Sequence, residues 1–143
     1  TNVWAPIFLI KQFVKNLPKK MSANIINIVD QRVANLTPFF TTYTLTKSML
    51  WTLTQTLALA LAPKIKVNAI GPGPTFPSSR QTNKQFKKQY NKVPLKKAVD
   101  PNEIAEAVLF ILNSNSVTGQ LINVDSGQHL GWAHVDNKKI VDE

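Results

Sequence analysis

Three short apolar runs, "NIINIV" at 24–29, "IKVNAI" at 65–70 and "QLINV" at 120–124, are set between long stretches of helical periodicity. Each run is rich in β-branched residues and apolar at consecutive positions, the pattern of a strand covered on both faces. Such strands alternating with helices predict an α/β fold with a parallel sheet. Three strands are few for that fold, and a complete doubly wound sheet would carry more on one side.

The helical stretches add detail. Residues 2–17 place Val3, Trp4, Ile7, Ile10, Val14 and Leu17 at helical spacing, with Pro6 tolerated near the first turn. Residues 38–62 predict a longer helix with Thr37 as its cap and Pro38 at its first position, ending at Pro63. Leu45, Met49, Leu53, Leu57 and Leu61 line one side of it, and Phe40, Leu50, Trp51 and Leu59 occupy others. One sheet cannot cover so wide an apolar surface, so helices 2–17 and 38–62 are expected to pair with their copies in a second subunit. "DPNEIAEAVLFILN" carries the sharpest local signal: Asp100 caps, Pro101 takes the first helical position and Glu103 completes a capping box. "GPGP" at 71–74 reads as loop. Residues 75–99, polar, lysine-rich and aperiodic except around "FKKQY", read as a mobile flap.

Composition narrows the function classes. The 143 residues carry a net charge of +9 and no cysteine. Disulfide and thiol chemistry are excluded, and a cytoplasmic setting is expected. No run approaches the 18 apolar residues of a membrane span. The positive charge favours anionic, phosphate-bearing ligands. It does not read as a nucleic-acid surface, because the lysines gather in one polar stretch, arginine occurs only at 32 and 80, and no aromatics interleave with them. His129 and His134 stand in a polar tail without a third ligand and do not form a zinc set. Trp4, Trp51 and Trp132 read as core or subunit contacts.

In open parallel sheets, ligands bind beyond the carboxyl ends of the strands. Asp30 follows the first strand, Gly71–Pro74 the second and Asp125–Gly127 the third. "YTLTK" at 43–47 lies on the helix after the first strand, and its four-residue spacing puts Tyr43 and Lys47 on one face. A phenol ordinarily titrates near pH 10, and a cation near its oxygen lowers that value. Tyr43 beside Lys47 would then serve as a general acid to a carbonyl or imine. Spacing alone makes this a weak sign, since any helix face carries such a pair by chance.

"TNVWAP", "NIINIVD", "YTLTK", "IKVNAIGPG" and "VTGQLINVDSG", in this order from Asn2 to about Leu130, resemble the short-chain dehydrogenase/reductase family. The resemblance implies a Rossmann-like, doubly wound parallel sheet and an NAD(P)H-dependent reductase. Tyr43 is similar to the family's proton donor, and Lys47 to its partner, which lowers the phenol pKa and holds the nicotinamide ribose. Asn2 resembles the helix asparagine of the proton relay. Pro72 and Gly73 resemble the turn beside the nicotinamide, and Thr75 a hydroxyl that contacts the cofactor.

Asp30 departs from the serine that the family usually places thirteen residues before the tyrosine. A carboxylate is a poor partner for a carbonyl oxygen gaining negative charge and a good acceptor for an N–H-rich heterocycle. This resembles the pteridine reductases and the related dihydromonapterin and dihydrofolate reductases. The alternative is that Asp30 only caps a loop. The family's glycine-rich pyrophosphate turn is absent from the sequence. Residues 1–143 are therefore expected to be the C-terminal portion of one reductase domain, with 75–99 as its substrate loop. The expected substrate is a small carbonyl or pterin-like C=N compound, and the charge leans toward NADP(H) over NAD(H). The competing expectation is a noncatalytic fragment or remnant that keeps only core and oligomerisation surfaces.

Overall fold

A computed structural model describes residues 3–131. Four helices and three strands follow in the order α1 (Trp4–Asn16), β1 (Ala23–Ile28), α2 (Thr41–Leu61), β2 (Ile65–Pro72), α3 (Asn83–Tyr90), α4 (Pro101–Asn113) and β3 (Leu121–Val124), with two helices between β2 and β3. Short 3-10 turns at Gln31–Val33 and Gln128–Leu130 follow β1 and β3. The sheet is parallel in the order β1-β2-β3, with Ile28 opposite Ile70 and Pro72 opposite Val124. The expected α/β class with a Rossmann-like parallel sheet is what the chain forms.

The central strand is the most buried. Ile65, Val67 and Ala69 alternate along one face of β2 and are at most 2 % exposed. Leu50 and Ala58 of α2 pack on that face, joined by Val14 and Leu17 from α1. Both helices thus cover one side of the sheet. A buried hydrogen bond of 2.9 Å from Asn27 Nδ2 to Thr54 Oγ1 ties β1 to α2, and Thr54 Oγ1 donates in turn to Leu50 O.

Two expectations about local structure fail. Thr37 does not cap α2: its hydroxyl bonds within its own turn, to Phe39 N and O. The N-cap is Phe40, held at φ 61, so the helix begins three residues beyond Pro38. Gly71 and Pro72 are not loop but the end of β2. The ladder tolerates them because Pro72 closes the strand, and Gly71 lies where an added Cβ would meet the Asn123 side chain at 2.4 Å.

The α4 capping box forms as read, with Asp100 accepting from the helix N-terminus and Glu103 accepting from Asp100 N. A second box, Thr82 with Gln85, starts α3. The return from α3 is anchored: Val93 and Val99 are buried, Leu95 N donates to Ser126 O, and Val99 N donates to Pro74 O. Among the described residues, no helix is long and apolar enough to cross a membrane.

Candidate active site

The sheet-facing stripe of α2 runs Leu50, Thr54, Ala58 at four-residue steps, all buried. Extended toward the N-terminus, the same stripe meets Lys47 and Tyr43. These two side chains therefore fall on the side of α2 that faces the sheet, at the end where β1 finishes, and there they meet the loop carrying Asp30.

Tyr43 donates its hydroxyl to Asp30 Oδ2 at 3.1 Å. Arg32 donates to the same oxygen from Nη1 at 3.1 Å, and its backbone N–H donates to Asp30 Oδ1 at 2.8 Å. Lys47 does not reach the phenol oxygen. Its ammonium donates to Ile28 O at 3.0 Å and lies 5.8 Å from the centre of the Tyr43 ring. The guanidinium of Arg32 lies 5.0 Å from the Phe40 ring centre and 5.9 Å from that of Tyr43.

The electrostatics follow from this arrangement. Burial, then the Asp30 charge and hydrogen bond, push the Tyr43 phenol up to about 12, while Arg32 pulls weakly the other way. This reverses the expected lowering of the phenol by Lys47: the nearest charge to the hydroxyl is a carboxylate, not the ammonium. Burial lowers the Lys47 ammonium, and Asp30 partly offsets that. Tyr43 thus keeps its proton across neutral pH. It is a donor already aimed at an acceptor.

The other expected residues lie around this pair. Pro72 ends β2, next to β1 in the sheet. Gly73 N donates to Val124 O at 3.0 Å, and an added Cβ there would fall 2.6 Å from the Asp125 Cα, so only glycine lets the two strand ends approach. Thr75 Oγ1 donates to Gly73 O at 3.1 Å and so stabilises that turn. Asn2, Trp132 and His134 lie outside the described residues. Asp125, 3 % exposed, spends its carboxylate on the backbone N–H of Gly127 and His129 and on His129 Nδ1, closing its own loop.

Arg32 is the member of the cluster that pattern reading misses. Its signal is an Asp-x-Arg spacing immediately after a strand, which becomes meaningful only once the short turn folds the guanidinium back on Asp30. A shallow groove of about 360 Å³ beneath the end of α1, lined by Phe13, Leu17, Pro18 and Met21 among others, contains none of these residues.

A phenol, an ammonium and a carboxylate at the carboxyl end of a parallel sheet define a class. The family model described as Enoyl-(Acyl carrier protein) reductase matches residues 1–129. The chain belongs to the short-chain dehydrogenase/reductase family and is similar to members of its pteridine reductase-like branch. Particular relatives make the likeness concrete. The solved structure of FolM Alternative dihydrofolate reductase 1 from Brucella suis in complex with NADP is 46% identical and superimposes with a TM-score of 0.89, over 94% of this chain and 55% of that one. Pteridine reductase 1 of Leishmania tarentolae is 32% identical over 91% of this chain and 48% of its own length. The short-chain dehydrogenase/reductase homolog YusR of Bacillus subtilis is 33% identical over 62% of this chain and 69% of its own. With few exceptions, the chain spans about half the length of the curated relatives it matches.

Proposed function

We propose that the protein acts as an NAD(P)H-dependent reductase on a small carbonyl or, better matched to Asp30, a pterin-like C=N substrate. One observation carries this reading: the 3.1 Å hydrogen bond from the Tyr43 hydroxyl to Asp30 Oδ2, made at the carboxyl end of a parallel sheet. A bound nicotinamide cofactor supplies the hydride in this chemistry. The residues of this chain supply the proton and the orientation. Tyr43, with its pKa pushed up to about 12, holds at neutral pH a proton it can donate to a nitrogen or oxygen that gains charge. A cation brought closer to its oxygen would make it the stronger acid this step favours. Asp30 retains lone pairs beyond those taken by Arg32 and Tyr43, enough to accept a ring or amino N–H.

The residues fit the nicotinamide-ribose end of the cofactor. Lys47 offers an ammonium, and Pro72, Gly73 and Thr75 form the neighbouring turn; Asn2 would complete the proton relay. They do not fit the pyrophosphate. Pro72 and Pro74 have no N–H, and that of Gly73 is bonded to Val124 O. NADP(H) is preferred over NAD(H) in this reading: the chain is basic, and the similar Brucella suis structure holds NADP. Segment 75–99 serves as the substrate loop. A cytoplasmic homodimer or homotetramer built through α1 and α2 completes the proposal.

The test is NADPH oxidation by the full-length protein with dihydropterin or dihydrofolate. Tyr43→Phe should lower turnover by about 10²–10⁴-fold; unchanged turnover would remove Tyr43 from its role. A second reading, a noncatalytic fragment or remnant that keeps only core and oligomerisation surfaces, is favoured by the exposed apolar side chains Trp4 and Phe8 of α1 and Leu45, Met49 and Leu59 of α2. In that case NADPH added to the 143-residue chain gives no saturable quenching of its tryptophan fluorescence, and tight binding rejects the remnant.

A further inference from the structure

We propose that Arg32 is a positioning residue of this site, acting through Asp30 to fix the carboxylate oxygen that accepts the Tyr43 hydroxyl. The inference deepens the assignment of Asp30 and Tyr43 given above, and its test does not depend on turnover.

Three contacts carry it. Arg32 holds both oxygens of Asp30, one through its backbone N–H at 2.8 Å and the other through Nη1 at 3.1 Å. The oxygen held by Nη1 is Oδ2, the one that Tyr43 addresses. The same guanidinium lies against the rings of Phe40 and Tyr43, 5.0 and 5.9 Å from their centres. One planar group thus joins the end of β1, the N-cap of α2 and the phenol.

The residue type matters. The chain uses lysine for all its basic positions except 32 and 80. A guanidinium can stack on rings and present a rigid donor fork at once, which an ammonium cannot. The pair is well sheltered, with side chains 21% and 15% exposed. Phe40 at φ 61 adopts a conformation uncommon for a non-glycine residue. Stacking against Arg32 helps hold it there, and with it the start of the helix that presents Tyr43.

A mere countercharge and a positioning group make opposite predictions. The charged groups at Tyr43 are Asp30 and Arg32 from the loop after β1, and Lys47 from α2 itself. Arg32 pulls the phenol down, and Asp30 pushes it up more strongly, by charge and by hydrogen bond. If Arg32 only adds charge, removing it raises the phenol pKa further. If Arg32 positions Asp30, removing it lets Oδ2 swing away, the larger upward push is lost, and the phenol pKa falls.

The experiment uses the 143-residue chain carrying Tyr90→Phe, which leaves Tyr43 as its one tyrosine. Phenolate absorbance near 295 nm is read at pH 11 in the parent and in R32M, R32K and D30N, with helical circular dichroism followed alongside. A phenol with a pKa of about 12 is about one-tenth ionised at pH 11. R32M should raise that fraction at least about threefold, toward the level of D30N, and R32K should restore part of the parent behaviour. An R32M fraction equal to or below the parent's overturns the proposal. If R32M loses its helical signal, R32Q takes its place with the same two outcomes. A chain with no reductase activity still answers the question, so failure of the functional reading and failure of this one are separable.

Discussion

Tyr43 carries a proton that two neighbours compete to keep or release, and its pH response follows from their order. Its folded pKa stands near 12 against 10 for a free phenol, chiefly through burial and then Asp30. A raised acid pKa gives stability that is fully present below pH 10 and lost as pH rises through 12. Urea titrations should therefore show the parent losing stability relative to Tyr43→Phe between those values, and a constant difference would contradict the buried, Asp30-bonded phenol. Gly73 makes a different demand at the same scale. Its missing side chain leaves room for Asp125, whose Cα would lie 2.6 Å from a Cβ at that position. Because the obstructing atom is backbone, Gly73→Ala should cost about 1–3 kcal/mol, readable as a lower urea midpoint at unchanged slope. An unchanged midpoint would show that the strand ends separate freely.

At the scale of elements, one stripe of α2 connects core and site. Leu50, Thr54 and Ala58 are buried against the sheet, and Lys47 and Tyr43 continue the stripe past the end of β1. Thr54 fixes the rotation of the helix because its hydroxyl accepts from buried Asn27. Thr54→Val keeps the shape and leaves the Asn27 amide without that partner. It should cost about 1–3 kcal/mol, and Asn27→Val in the same chain should recover part of the loss. If the double variant is as unstable as the sum of the single ones, the bond is not the coupling. Elements specified locally are the ones a reading of sequence can find. The α4 box is complete within residues 100–103 and forms as read. "Thr37-Pro38" is an equally good local start for α2, but Phe40 makes the cap, at φ 61 with Arg32 stacked on its ring. Tyr43, Lys47 and Asp30 could be named from spacing and resemblance. The direction of the phenol shift could not, because it depends on Lys47 reaching Ile28 O while Tyr43 reaches Asp30.

For the whole molecule, what the sheet leaves uncovered decides assembly. On α2, Leu45, Met49 and Leu59 are 60%, 55% and 85% exposed, and they recur along one stripe opposite the buried one. Leu53, Leu57 and Trp51, which periodicity had divided between the sheet and a partner, pack against the core. The outward surface is therefore narrower than the sequence pattern implies, and Thr52 and Thr56 interrupt it between Met49 and Leu59. On α1, which covers the same side of the sheet, Trp4 and Phe8 are 78% and 61% exposed. Apolar side chains of this size arrayed along two helices are where the proposed homo-oligomer would join. Their burial in a homo-oligomer removes apolar area worth about 25 cal/mol per Å² before the costs of association. A charge at the centre of such a seam would be desolvated without a partner, whereas a charge at the same place on a monomer would remain in water. Leu59→Glu should therefore dissociate the assembly while leaving its helical circular dichroism intact. Trp51→Glu, at a core-facing position, should unfold the chain instead. Light scattering at tens of micromolar separates these outcomes. A parent chain that is already monomeric with native helix content would show that these stripes face water and that α1 and α2 join no second copy.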